Sequence, residues 1–372
     1  MRMEKVISAF EEIGKTLSAS SPAHSIRFSK QTWLEAAKHG LHGLMIPKDL
    51  GGLGLSGAET VAALYGFGKG NNNTGLGFGL GAQLLSCAVP LLKHELKGSE
   101  TLLEQMASGQ LIVAHGMSEP ASGSDAFAMQ SCATEKESGD YVLQGTKHFT
   151  TNIHEAHAVI FFAMTQPELG YFGGSSCFFV PCDQLGFNKG VVYSKAGLHG
   201  CSLGEFHLEN VTVPTENRIG DAGLGSSIFA TSMLWERLGL TALHLGWCAQ
   251  LHEALIGHFK QERRNFPKKD HQNFKHQFVR LSGLNEAFLS QLLHLAHQLD
   301  EPKKDTTVQV SRLKVLVSEH LQQFACLGIE IISTFNHTNH WIEQLFLDAA
   351  ATKIYSGSTE VQLNLSAGNY RI

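Results

Sequence analysis

The sequence predicts a multi-domain α+β protein built as three successive modules: helical, β-rich, then helical again. Two changes of texture carry this reading. Residues 1–112 place apolar residues at helical spacing. Residues 113–219 break into short β-rich runs punctuated by Gly, Asp and Asn, and from 220 to 372 long helical patterns return. The 372 residues, 43% of them hydrophobic, suffice for two or three domains and a substantial core. A formal net charge of -5, with Lys and Arg scattered, leaves no basic stripe, and no nucleic-acid partner is expected. The opening MRMEKVISAFEEIGK has no uninterrupted apolar run, so it is not expected to be a signal peptide. No span of about 18 apolar residues is read, and no membrane association is expected. Seven dispersed cysteines without CxxC spacing read as reduced thiols of a cytoplasmic protein. His154 and His157 lack a third clustered ligand and an i,i+4 spacing, so no metal is expected there.

In the first module, helices are expected over 4–18, 30–39, 57–69, 82–96 and 100–107, separated by turn signals at 49–52 and 69–73. Gly75, Gly77, Gly79 and Gly81 form a ladder that follows no strand and has GxGxGxG rather than GxGxxG spacing. It reads as close helix packing or a pocket wall, not a phosphate loop. Strands are expected at 111–113, 141–143, 159–162, 177–180, 190–193 and 205–208, a spacing typical of a small antiparallel barrel or sandwich. In the third module Ser226 or Ser227 is expected to cap a helix reaching about residue 265, where Pro267 ends it. Leu234, Leu238, Leu245 and Leu255 mark one stripe of that helix, and Leu240, Leu243, Trp247 and Leu251 another. A helix apolar on several sides belongs inside a bundle. Further helices are expected over 274–299, 306–334 and 341–354.

Four segments carry chemistry. Met117 to Asp125 reads Met-Ser-Glu-Pro-Ala-Ser-Gly-Ser-Asp, a loop whose hydroxyls and exposed N–H groups suit a flat heterocycle and phosphate oxygens. Tyr141 to Asn152 contains Gly145-Thr146-Lys147-His148-Phe149-Thr150-Thr151-Asn152. A third segment covers 197–219, and a fourth reads Lys353-Ile354-Tyr355-Ser356-Gly357-Ser358-Thr359-Glu360-Val361.

In this order and spacing, over nearly the whole chain, these segments resemble the acyl-CoA dehydrogenase family. The resemblance implies a middle antiparallel β-barrel, a C-terminal four-helix bundle, and FAD lying between them. By the same resemblance Met117, Ser118, Gly123, Ser124, Phe149, Thr150 and Thr151 bind FAD. Ser118 is the hydroxyl on the pyrimidine ring, Phe149 covers the isoalloxazine, and Thr151 donates near N5. Ser124 also meets the pantetheine or phosphate arm of the substrate. Arg263 and Phe266 match an R-x-x-F element that reaches the cofactor of a neighbouring subunit, which implies a homodimer or homotetramer. Ser358, Thr359 and Glu360 complete the FAD contacts.

The chemistry then asks for one base. The α-hydrogen of a thioester is weakly acidic, and a carboxylate in an apolar pocket is the group to remove it while hydride leaves the β-carbon for flavin N5. The commonest form of the family has a Glu where this chain has Ser356. Other members carry the Glu in the first long bundle helix, immediately before an Arg, and here Glu236-Arg237 stands at that place. Glu236 is therefore the expected base, with Arg237, Ser356, Gly357 and Ser124 on the substrate; the Ser356 N–H is the donor to the thioester oxygen. Further departures are the 332–337 loop in place of a glycine-rich one, Leu347-Asp348 in place of Arg-Asp, and Pro267 in place of Gly. All bear on the cofactor's far end.

The reading is FAD-dependent α,β-dehydrogenation of an acyl thioester, carried on CoA or on a carrier protein, with electron-transfer flavoprotein or O2 as acceptor. A flavin oxidase or monooxygenase on the same fold and a non-catalytic thioester-binding scaffold are the alternatives.

Overall fold

The computed structural model describes residues 2–20, 27–262, 264, 268–335 and 337–370. Its N-terminal module contains α1 (Arg2–Ser20), α2 (Lys30–Lys38), α3 (Gly57–Gly70), α4 (Thr74–Ala82), α5 (Val89–Lys93) and α6 (Ser99–Ala107). The start of α3 is fixed by a capping box. The Ser56 hydroxyl accepts from the Glu59 N–H, and the Glu59 carboxylate accepts from the Ser56 N–H at 3.1 Å. Along α3 small residues let backbones meet: a Cβ on Gly66 would lie 2.2 Å from the Ile7 carbonyl oxygen of α1.

The glycine ladder lies inside α4 and is buried. Between α4 and α5, Gln83–Ala88 forms a π-helical turn. The helical run thus begins at Thr74, eight residues before the expected 82. Two stretches, Thr74–Lys93 and Thr306–Thr334, are long and apolar enough to cross a membrane, which corrects the expectation that no such stretch exists; 89% and 61% of their apolar windows are buried inside the fold. Their apolarity is that of helices packed on several sides.

The middle module contains β1 (Val113–Gly116), β2 (Cys132–Glu135), β3 (Tyr141–Thr151), β4 (Ala158–Met164), α7 (Gly170–Gly174), β5 (Ser175–Pro181), β6 (Phe187–Val192), β7 (Leu203–Val213) and β8 (Arg218–Ile219). These strands form one eight-stranded sheet in the order β6-β7-β3-β2-β4-β5-β8, with β1 also paired to β4. The expected closed antiparallel barrel is therefore corrected to an open, mixed sheet ending at β6 and β8. The mixing lies at β4. One of its edges is taken by β5, and the other is shared by two short parallel partners: β1 from Val113 to Gly116, and β2 through the single pair Cys132–Met164. Both faces of β4 are covered. Val159, Phe161 and Ala163 join the main core, while Ile160 and Phe162 pack with Cys177, Leu91 and Ile228. That explains its unbroken apolar run.

The C-terminal module contains α8 (Gly225–Glu262), α9 (Lys268–Ala296), α10 (Thr306–Thr334), α11 (His340–Ala351) and α12 (Thr359–Ala367). Ser226 does not cap α8: it lies within the first turn, and its hydroxyl donates to the Phe172 carbonyl at 3.0 Å. Helix α8 is buried without interruption from Ser232 to Ala249, and a Cβ on Gly246 would lie 2.4 Å from the Tyr65 carbonyl oxygen of α3. Helix α12 was not expected, because its residues read as a motif rather than as a periodic segment.

Candidate active site

Glu236 projects from the buried part of α8 and is 8% exposed. Its carboxylate accepts from two hydroxyls, Ser86 on Oε2 and Ser356 on Oε1. Ser86 comes from the π-helical turn between α4 and α5, and such turns recur at functional sites. Burial pushes the Glu236 carboxyl up to about 7; the Ser356 hydroxyl and the charges of Arg237 and Lys314 pull the other way. A carboxyl poised there takes and releases a proton near neutral pH.

Ser356 belongs to the turn between α11 and α12, not to a helix. It is left-handed at φ +56°, and Gly357 follows at φ +86°. A left-handed Ser is strained by roughly 1–2 kcal/mol, so neighbours must hold it. Arg237 Nε donates to the Ser356 carbonyl at 3.0 Å, Gln362 Nε2 donates to the same oxygen at 3.4 Å, and Lys314 Nζ donates to the Gly357 carbonyl at 2.9 Å. Glycine suits position 357 because its φ of +86° is one that L side chains rarely adopt. Burial lowers Lys314 to about 8, with Arg237 adding to the effect. Beside the turn, the Tyr355 hydroxyl meets His244 Nε2 at 2.5 Å, and its ring leans on Phe78 with centroids 4.4 Å apart. Burial takes His244 down to about 3, so it is neutral.

A second cluster lies in the middle module. Lys147 of β3 is fully buried and pairs with buried Glu119 at 2.7 Å; its Nζ also reaches the Met117 carbonyl at 3.2 Å. The Glu119 carboxylate accepts from the N–H groups of Gln130 and Ser131 at 2.7 and 3.1 Å. Desolvation lowers Lys147 to about 8 against the pull of Glu119. This pair pins the 117–119 loop to β3, as does the His148 N–H, which donates to the Ser118 carbonyl at 2.8 Å. A register shift between Lys147 and Thr150 in the β3–β7 pairing turns the backbone outward. There Phe149 sits at φ +52° and is 66% exposed, with Tyr193 beside it at 5.4 Å between ring centroids. Thr150 is buried, and its hydroxyl has no hydrogen-bond partner among the described residues. Asn152, at φ +61°, ties this strand end to α4 by donating to the Gly79 carbonyl at 3.1 Å.

The structure thus joins Glu236, Arg237, Ser356 and Gly357 directly, and Met117 and Ser118 to the Lys147–Thr151 segment. Gly123 and Ser124 are exposed at the loop tip, and no hydrogen bond links them to Glu236 among the described residues. Ser358 caps α12 by accepting from the Val361 N–H at 3.4 Å, and the Thr359 hydroxyl donates to the Lys353 carbonyl at 3.4 Å. Glu360 is exposed. Arg263, Phe266, Pro267 and Asn336 of the 332–337 loop lie outside the described residues. Leu347 is half exposed, whereas Asp348 is buried. Asp348 accepts from Thr74, from the Leu198 N–H at 2.6 Å and from Gln344 at 2.8 Å, tying α11 to α4. His157 Nδ1 accepts from the Ile112 N–H at 3.0 Å.

Sequence reasoning missed Ser86, Lys314 and the Lys147–Glu119 pairing. Lys314 carried a signal: it stands alone in Leu313-Lys314-Val315-Leu316-Val317, and a cation in an apolar helical run needs a reason. Ser86 carried none.

Sequence models of the acyl-CoA dehydrogenase N-terminal, middle and C-terminal domains match residues 8–110, 114–211 and 223–370 in turn. An L-prolyl-(peptidyl-carrier protein) dehydrogenase of Pseudomonas fluorescens is 30% identical over 96% of this chain and 94% of its own. The chain belongs to the acyl-CoA dehydrogenase family. Among solved structures, the prolyl acyl carrier protein oxidase AnaB superposes with a TM-score of 0.93 at 27% identity, covering 100% of this chain and 99% of AnaB. The FAD complex of PigA does so with 0.91 at 27% identity, covering 100% and 97%.

FAD is the cofactor this family implies, and the residues present fit it. An exposed Phe149 face, the pinned Ser118 loop and the orphaned Thr150 hydroxyl are what a flat heterocycle with polar edges would cover and satisfy.

Proposed function

We propose that this chain is an FAD-dependent dehydrogenase that introduces an α,β double bond into an acyl thioester, with Glu236 as the base. The observation that carries the role of Glu236 is its environment: a buried carboxyl raised to about 7 and held by two hydroxyls beside a strained turn. Met117, Ser118, Phe149, Thr150 and Thr151 would hold the flavin, Gly123 and Ser124 would flank its phosphates or the substrate arm, and Ser358 to Glu360 would close the far side. FAD, when bound, supplies the hydride acceptor. Glu236 takes the α-proton, Ser86 and Ser356 keep its carboxylate oriented, and the 356–357 turn presents N–H donors to the thioester oxygen.

A carrier-protein-tethered acyl or aminoacyl group is the favoured substrate. The likeness to a prolyl-carrier-protein dehydrogenase supports it. So does Ser356, which moves the base from the commoner position to α8. The likeness to an oxidase, AnaB, favours O2 as a second electron acceptor beside an electron-transfer flavoprotein. The reading includes a homodimer or homotetramer, for which Leu316, Phe346, Leu347, Leu363 and Leu365 offer exposed apolar surface.

The test is anaerobic bleaching of the bound flavin by a panel of acyl-CoA, acyl-carrier-protein and aminoacyl-carrier-protein thioesters. Bleaching by carrier-bound thioesters, faster than by the CoA forms, is expected. A flavin that no thioester reduces would leave the scaffold reading standing. Oxygen consumption by the reduced protein then separates oxidase from dehydrogenase.

A further inference from the structure

Two cations from different helices end on the same turn. Arg237 of α8 donates to the Ser356 carbonyl at 3.0 Å, and Lys314 of α10 donates to the Gly357 carbonyl at 2.9 Å. They are 9% and 1% exposed, and neither forms an ion pair with a carboxylate among the described residues. Their hydrogen-bond partners at the turn are neutral carbonyls, and the Glu236 and Glu360 carboxylates act on them only through space; burying two cations this way costs several kcal/mol, more than closing a turn requires. The turn has a complementary feature. The N–H groups of Ser356, Gly357 and Ser358 make no hydrogen bond among the described residues. In a trans peptide the N–H points opposite the carbonyl. Fixing the Ser356 and Gly357 carbonyls on the cations therefore turns the Gly357 and Ser358 N–H groups away from them.

We propose that Lys314 and Arg237 are positioning residues for the thioester oxygen: they hold the Gly357 and Ser358 amides as donors and polarise them as negative charge develops. This rests on the dehydrogenase reading. As Glu236 takes the α-proton, the C–H electron pair enters the enolate and its charge collects on the thioester oxygen; FAD, when bound, would supply the acceptor for the β-hydride. Each cation draws electron density from the carbonyl it binds and, through amide resonance, strengthens the N–H of the same peptide unit. A preorganised donor of this kind is worth roughly 100- to 1000-fold in rate. The left-handed pair at Ser356 and Gly357 is the conformation in which both carbonyls meet the cations.

The charge of Lys314 is the testable part. The groups facing Glu236 besides the cations are Ser86 and Cys87 from the π-helical turn and Tyr355 and Ser356 from the α11–α12 turn; burial raises Cys87 and Tyr355 far above neutrality. Glu360 acts on Lys314 from the exposed start of α12, and its own carboxyl is held low. Above neutrality, then, Lys314 is the group near this turn that changes charge, at about 8.

The experiment measures anaerobic flavin reduction against pH in FAD-loaded wild-type, Lys314→Arg and Lys314→Met proteins, with the best thioester of the panel. The wild-type rate is expected to fall as pH rises through about 8. Lys314→Arg should keep the neutral-pH rate within about threefold and lose the alkaline fall, because Arg stays charged. Lys314→Met should be slower by about 10- to 100-fold. A second readout needs no turnover. S-[1-13C]acetylpantetheine has no β-carbon and cannot be dehydrogenated, and its carbonyl stretch on binding should move down in wild-type and less in Lys314→Met. An alkaline fall that persists in Lys314→Arg overturns the proposal. So does a Lys314→Met protein that matches wild-type in rate and carbonyl stretch. A wild-type flavin that no thioester bleaches removes the dehydrogenase reading itself, and this proposal with it.

Discussion

Replacing Ser356 by Ala should move the pH dependence of flavin reduction, not merely its size. From the sequence the Ser356 side chain was expected to matter little, with only its backbone N–H in use. The structure gives the hydroxyl a partner: it donates to the Glu236 carboxylate and favours the ionised form. A hydrogen bond to a charged group is worth about 1.5–3 kcal/mol, and each pKa unit corresponds to about 1.4 kcal/mol. Loss of the donor should lift Glu236 from about 7 by roughly one to two units. Near pH 7 the ionised fraction then falls from about a half to about a tenth or less, and the rate with it. Since Lys314 gives up its proton at about 8, the acid limb would run into the alkaline one and the optimum would narrow and drop. The assay is rapid-mixing anaerobic flavin reduction across pH, with FAD content measured in parallel. An acid limb that stays at its wild-type position in Ser356→Ala refutes the reasoning.

Two further perturbations bear on folding. Lys147→Met breaks the buried pair with Glu119 and leaves that carboxylate uncompensated, so it should destabilise by about 3–5 kcal/mol; thermal melts and FAD titration should both register it, because the 117–119 loop loses its anchor. Glu236→Gln should stabilise the protein above neutral pH. The folded carboxyl is raised from 4.5 to about 7, so the native state loses stability as pH rises through that window; an always-neutral Gln avoids a loss of about 3 kcal/mol. Melts at pH 8 should show the gain, and melts at or below pH 4.5 should not; an equal shift at both would assign the effect to packing instead.

The sequence made the helical modules legible because periodicity is a local signal. The 306–334 pattern matches α10 residue for residue, while the start of α8 was misassigned because Ser226 uses its hydroxyl on Phe172 rather than on its own helix. Sheet closure was not legible. Strand texture reports alternation and turn spacing, but whether the end strands β6 and β8 meet is a tertiary contact that no local pattern records. At the site, Glu236 next to Arg237 was readable as a charge in an apolar helix. Ser86 was not, because a hydroxyl in a π-helical turn gains its meaning only from a carboxylate 150 residues away in the chain. Lys314 lies between these cases: its apolar neighbours flagged it, but its partner at Gly357 required the fold.

The most direct test of the account is the rate of flavin reduction in Glu236→Gln. Gln keeps the size, can accept from one of the Ser86 and Ser356 hydroxyls and donate to the other, but cannot accept the α-proton. FAD and thioester should still bind, and reduction should slow by at least about 100-fold, the scale of losing a general base. Because the side chains of 236 and 356 meet, adding Ser356→Glu to Glu236→Gln should restore part of the rate from the other side of the same site. A Glu236→Gln protein that reduces its flavin at the wild-type rate would contradict the assignment of the base and, with it, the account of the turn that surrounds it.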